Sequence, residues 1–277
     1  MPFLVAVAGV SGRFGRCVVQ ELLKKPDTLV RGLVRDSSKV PAAIRSSSAF
    51  ELLEGDVTDD VTLRKLVKGA DVVISALLGS DSIMIEAQKQ LIDLSEEANV
   101  PRFIASDYTL DYTKLEYGQL PSKDPMKKIY EYLRGKSIKG VHVFIGAFLD
   151  TFWTQWFGIW NPEEWSLSFW GTGDEIWELT SYENTAEFVA ELALDNNATG
   201  IQNFVGDRIS IRGIAELFEE VHGQKLSLRQ LGSLDDLKTV IDSTNTDEDP
   251  MTWLPLSVPF FFISSLPNQS CPQSNLC

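Results

Sequence analysis

The first half of the chain alternates short, almost wholly apolar runs with longer stretches of helical periodicity, and that alternation restricts it to few folds. Residues Phe3–Ala8, Leu29–Val34, Phe50–Leu53, Asp71–Ala76, Arg102–Ala105 and Val141–Ile145 read as strands. Between them, Arg13–Lys24 sets Val18, Val19, Leu22 and Leu23 at helical spacing, and Ile83–Ala98 does so with Ile85, Leu91, Ile92 and Leu94. Strands without a polar face must be covered on both sides, which a parallel sheet between two helical layers achieves. The expectation is a doubly wound α/β sheet.

The loop Gly9-Val10-Ser11-Gly12-Arg13-Phe14-Gly15 follows the first strand and opens the first helix. In that setting a G-x-x-G-x-x-G run reads as a dinucleotide cradle. The first glycine turns the chain, the second lets the backbone approach a pyrophosphate, and the third packs the helix on the sheet. The helix start supplies N–H groups and the positive end of its dipole. The plainer alternative is that the glycines only shape a strand-to-helix turn. The second strand ends in Gly32-Leu33-Val34-Arg35-Asp36-Ser37-Ser38-Lys39. An acid here would bond a ribose 2′-hydroxyl, whereas an arginine accepts a 2′-phosphate. Arg35 comes first, with Lys39 beyond it and Arg13 in the loop, so the pattern favours NADP(H) over NAD(H). The alternative is that Arg35 is a solvated strand-end charge paired with Asp36.

A net charge of −14 disfavours nucleic-acid and anionic-membrane surfaces, because phosphate attraction needs a basic face. A small-molecule partner is the natural expectation, with a homodimer or a protein partner left open. Phe3–Gly9 is too short for a secretory leader, which points to a cytoplasmic protein. Cys17, Cys271 and Cys277 make no disulfide framework, and His142 and His222 are too isolated for a metal site. From Phe148 the pattern changes. Trp153, Trp156, Trp160, Trp165 and Trp170 crowd around Asn161-Pro162, either as core or as the lining of a substrate cleft between lobe and sheet. Helical patterns follow at Asn184–Leu194 and Ile214–Val221, with a strand pattern at Ile201–Val205. The expected division is a Rossmann-type dinucleotide-binding domain over 1–147, a substrate lobe over 148–250 interleaved with the sheet, and an atypical tail over 251–277. Asp247-Glu248-Asp249 reads as a solvated linker.

These residues resemble the NmrA-like and isoflavone-reductase-like proteins, atypical members of the short-chain dehydrogenase superfamily. The likeness rests on "AVAGVSGRFG", "GLVR", "EGDVTD", "ADVVISALLG", "VPRFIASDY", "GAFLD", "WGTGD" and "ENTAEFVA", taken in this order. It implies that Asp56 and Val57 sit beside the adenine. It further implies that Ala76, Leu77 and Leu78 border the ribose and pyrophosphate, and that Ser106 approaches the nicotinamide side. Asp56 by itself is equally a turn residue after a strand. The resemblance also implies an NADPH-dependent reductase of a small aromatic or enone-type metabolite, or alternatively an NAD(P)-binding sensor that turns nothing over and binds a protein partner. Residues 258–277 match nothing in the family and point to a truncated or alternatively spliced terminus.

Reduction by hydride transfer needs a proton donor near the substrate. Active reductases of the family carry a lysine at the start of the helix after the fifth strand. Counted back from Gly146-Ala147-Phe148, that place falls on Met126, with Lys127 and Lys128 immediately after it. A one-residue shift restores Lys127, although one residue turns a helical side chain by about 100°. Lys127 and Lys128 are otherwise ordinary solvated helix residues. Tyr108 and Tyr112 are further candidates, without the Tyr-x-x-x-Lys pair of the wider superfamily. Tyr108 is equally a stacking or space-filling aromatic. His142, in an apolar run, reads as structural, and Cys17 as packed against the sheet.

Overall fold

The computed structural model describes residues 2–243. The tail over 251–277, the Asp247–Asp249 linker, Cys271 and Cys277 lie outside the described residues. The chain begins with β1 (Phe3–Ala8), α1 (Arg13–Leu23), β2 (Thr28–Val34), α2 (Ala42–Arg45), β3 (Phe50–Glu54), α3 (Asp60–Val67) and β4 (Val72–Ser75). A π-helical segment, Ser82–Ala87, leads into α4 (Gln88–Glu97), followed by β5 (Arg102–Ile104), α5 (Asp124–Arg134) and β6 (Lys139–Phe144). Then come β7 (Ala147–Phe148), α6 (Leu149–Phe152), β8 (Trp160–Asn161), β9 (Ser166–Trp170) and β10 (Ile176–Thr180). The last elements are α7 (Tyr182–Leu194), β11 (Gly200–Asn203), β12 (Asp207–Ser210), α8 (Ile211–His222), β13 (Ser227–Gly232) and α9 (Leu234–Ser243). Among the described residues no helix is long and apolar enough to cross a membrane, and no cluster of His, Cys, Asp or Glu is suited to a metal.

Two compact units emerge, one of residues up to Ile145 with Thr180–Gly206, the other of Gly146–Leu179 with the chain from Asp207. The first is the doubly wound sheet expected from the alternation. Its seven strands run in the order β11-β6-β5-β4-β1-β2-β3, every pair parallel. Alternate strand residues explain its two faces. Ala6 and Ala8 of β1, Val73 of β4 and Phe103 of β5 join Leu63 and Leu66 of α3, Leu91 of α4 and Ile129 and Leu133 of α5 in one buried cluster. On α1, Val18, Val19 and Leu22 share one helical stripe and are buried. The segment 180–206 adds β11 to the edge at β6, and Arg102 of β5 ties it down. That buried guanidinium donates to the carbonyls of Leu192 and Ala193, at 2.8 and 2.6 Å, where α7 ends.

The second unit holds two three-stranded sheets, β12-β10-β7 and β13-β9-β8. None of its five clustered tryptophans is fully buried. Trp153, Trp160 and Trp165 meet edge-to-face and gather around Phe218, with Trp165 44% exposed. Their local role is a half-buried aromatic layer, while the interior position goes to Trp177.

Candidate functional site

In the first unit the order of connections reverses between β1 and β4. β1 leads toward β2 and β4 toward β5, so a crevice opens at their carboxyl ends, where such sheets bind ligands. The glycine loop lies there. Gly9 has φ +96, and a Cβ on it would stand 2.4 Å from the carbonyl oxygen of Ala76. A Cβ on Gly15 would stand 2.3 Å from the Gly9 oxygen. Both glycines are therefore required by contact, which a simple turn would not need. Gly12 caps α1 and donates its N–H to Gly9 O at 3.1 Å, and no side chain caps that helix and no acid lies in its first turn. Val10 is buried beneath the loop, Ser11 half-buried and Arg13 exposed. The Phe14 ring packs at a tilt against Tyr108, with centroids 4.4 Å apart, and against Tyr182 at 6.2 Å.

Arg35 is exposed at the end of β2. Asp36 is instead engaged by Ser38, accepting from its N–H and its hydroxyl, and stands 3.9 Å from Lys39. No ion pair joins Arg35 to Asp36 among the described residues, so the guanidinium remains free for a ligand. Asp56 accepts from the hydroxyl and N–H of Thr58, which hold its carboxyl below the usual range, with a smaller contribution from the Arg35 charge. Val57 and Leu77 are buried, Ala76 is half-buried and Leu78 is 88% exposed at the crevice rim. Ser106 is fixed from both ends, its hydroxyl donating to Leu77 O at 2.7 Å and its N–H to Oε1 of buried Gln88 at 3.0 Å. Tyr108 adopts φ +40 and donates its hydroxyl to Ser75 O at 3.0 Å. Burial pushes its phenol well above the ordinary range, so it stays protonated.

At the start of α5 the structure separates the lysines. Met126 is buried. The Lys127 ammonium donates to the Leu115 carbonyl and lies 4.9 Å above the Tyr117 ring, while Lys128 is exposed. Lys123, in the turn before α5, is different. Its nitrogen has no hydrogen-bond partner among the described residues, and desolvation lowers its pKa to about 8 against the opposing pull of Asp107. Asp107 is itself buried and joined to Nδ1 of His142 at 2.7 Å. A lysine whose pKa falls on folding destabilises the fold below that pKa, and stability recovers as the pH rises toward the unfolded value. Lys123→Met is accordingly expected to be more stable than the parent at pH 7 by about 1–3 kcal/mol, the gap closing by about pH 10.5 in urea titrations. A less stable variant would contradict the lowered pKa of Lys123.

Spacing gave no signal for Asp107, Lys123 or Gln88. Asp107 and His142 lie 35 positions apart, and only the β5–β6 pairing makes them neighbours. Cys17, expected against the sheet, is half-buried.

A sequence profile of the NmrA-like family matches residues 2–251. The chain belongs to the NmrA-like family. Among curated relatives, this NmrA-like chain is 38% identical to an isoflavone reductase homolog from Zea mays over 113 residues, 39% of the chain and 36% of that protein. The match thus spans about a third of the maize protein's length. It is 24% identical over 244 residues to an NmrA-like family domain-containing oxidoreductase of Gibberella moniliformis, covering 82% of the chain and 80% of the relative. Among solved structures, leucoanthocyanidin reductase from Vitis vinifera in binary complex with NADPH superposes with a TM-score of 0.78 at 17% identity. That match covers 94% of this chain and 87% of the other. The last likeness concerns the fold of the NmrA-like chain.

Proposed function

We propose that the chain is an NADP(H)-dependent oxidoreductase that reduces a small aromatic or enone-type metabolite in the cytoplasm. The observation that carries the reading is Arg35, a guanidinium with no ion-pair partner among the described residues, at the end of β2 beside a glycine cradle that a Cβ at Gly9 or Gly15 would fill. The names of the relatives, an isoflavone reductase homolog and an NmrA-like oxidoreductase, support the substrate class and reaction type. On this reading Gly9–Gly15 and the start of α1 hold the pyrophosphate. Arg35, with Arg13 and Lys39, takes the 2′-phosphate. Asp56 and Val57 border the adenine, Ala76–Leu78 the ribose side, and Ser106 the nicotinamide side. When bound, the cofactor supplies a hydride. The chain's own work is to orient both partners, exclude water and deliver a proton, for which Lys127, Lys128 and Tyr108 are the candidates from the sequence.

Arg35→Ala is expected to weaken NADPH binding by about tenfold to a hundredfold while leaving NADH within about twofold, because only the former carries the phosphate. Fluorescence titration of both cofactors checks this. Equal losses for the two would remove the 2′-phosphate assignment.

A second reading, a non-catalytic NADP(H) sensor that binds a protein partner, draws on the engagement of two candidate donors. Lys127 is spent on the Leu115 carbonyl and Tyr108 on Ser75 O. Incubation with NADPH and a panel of enones, quinones and aromatic ethers separates the two. Tight binding without NADPH oxidation favours the sensor.

A further inference from the structure

Two acids adjoin Arg35, one along the chain and one across the sheet, and each is held by a hydroxyl of its own loop. Strands β2 and β3 stay paired to their carboxyl ends, with Val34 opposite Glu54 and the Gly55 N–H donating to Val34 O at 2.9 Å. The residues just past those ends are therefore neighbours, Arg35 and Asp36 after β2 and Asp56 after β3. Asp36 accepts at Oδ1 from the Ser38 N–H at 3.0 Å and from the Ser38 hydroxyl at 2.6 Å. Asp56 is held in the same way, its Oδ1 accepting from the Thr58 N–H at 2.8 Å and from the Thr58 hydroxyl at 2.7 Å. Among the described residues Arg35 makes no ion pair with either carboxylate, although its charge is felt at Asp56.

An arginine beside two carboxylates is set to pair with one of them, because its planar fork of donors matches a carboxylate edge to edge. Such a pair would occupy the donors that a 2′-phosphate needs. A serine or threonine two residues after an aspartate opposes it, since the N–H and the hydroxyl together fix one carboxylate oxygen toward the loop. One such turn is ordinary loop geometry. Here it occurs on both of the acids that adjoin the same unpaired guanidinium. We propose that Ser38 and Thr58 are positioning residues for cofactor choice: by holding Asp36 and Asp56 in their own loops they keep Arg35 open to a 2′-phosphate and so favour NADPH over NADH.

The inference rests on the assignment of Arg35 to the 2′-phosphate and goes beyond it, because it assigns part of the preference to two hydroxyls that act only through the acids. The carboxylates themselves repel a phosphate, so the turns limit an opposition that the sequence builds in beside its own anchor. Both hydroxyl residues are exposed, and truncating them opens no cavity.

The test is fluorescence titration of the full chain with NADPH and with NADH, read as the ratio of the two dissociation constants in each variant. Ser38→Ala and Thr58→Val are each expected to weaken NADPH about threefold, and together about tenfold, with NADH within about twofold. That is the range in which an exposed ion pair can compete for Arg35. Thr58→Ser keeps the hydroxyl and the parental ratio. In an Arg35→Ala background the same truncations leave the ratio where it stands, because the donors they would close are gone. Adding Asp36→Asn and Asp56→Asn to the doubly truncated chain recovers most of the ratio, since an amide forms no ion pair with arginine. Parental ratios in both truncations, or equal losses of the two cofactors, overturn the proposal and spare the 2′-phosphate assignment as long as Arg35→Ala still separates NADPH from NADH. If Arg35→Ala weakens both cofactors equally, that assignment falls and the proposal falls with it.

Discussion

Gly9→Ala is expected to lose NADPH binding below detection and to cost about 3–5 kcal/mol of stability. Two independent penalties combine. At φ +96 an L-residue is strained, and its Cβ would stand 2.4 Å from a backbone oxygen, that of Ala76, which cannot rotate away. The loop would have to part from β4, and the crevice would lose the geometry that brings its N–H groups to one point. Gly69→Ala is the control, with φ +70 and nothing within 4 Å of the added carbon. Its cost is about 1 kcal/mol, that of backbone conformation alone. Urea unfolding and cofactor titration of the two variants separate strain from contact. Equal costs would mean that the approach of Gly9 to Ala76 is unimportant.

Arg102→Met is expected to lower stability by about 3 kcal/mol, a fall in Tm of roughly 6–12 °C. Arginine is the one side chain that can span from β5 to two successive carbonyls, those of Leu192 and Ala193, with a planar fork of donors. Without it, the C-terminal carbonyls of α7 are buried and unbonded. The variant also removes a buried charge whose pKa desolvation lowers, which offsets part of the loss. Arg102→Lys fills similar space but reaches only one carbonyl well, so it should fall between. Thermal unfolding monitored by circular dichroism decides. A Tm within about 2 °C of the parent would show that water takes over the carbonyls.

The strands of the first unit were legible because burial on both faces leaves no room for polar residues, and expected and observed limits differ by two positions at most. The glycine loop was legible for a related reason, since Gly9 and Gly15 each answer to a single backbone contact that fixes the residue type. Partner choice was not. The run at Ile201 reads as a strand, yet periodicity cannot say that it joins β6 rather than a sheet of the second unit. The same limit hides Asp107 and His142, whose pairing depends on strand order. A lysine sought by counting along α5 was equally beyond reach, because the hydrogen bond to the Leu115 carbonyl, which Lys127 makes and Lys123 does not, is a property of the packed chain.

The return of residues 180–206 to the first unit also sets a timetable for synthesis. β6 finds its outer neighbour only when β11, roughly sixty residues downstream, has emerged from the ribosome. Until then β6 is an open edge able to pair with another chain, and the fork of Arg102 has nothing to hold. Any nascent chain that stops after the fifth crossover therefore carries a complete cofactor cradle on an unfinished sheet. That interval is where chaperones would find this protein most dependent on them.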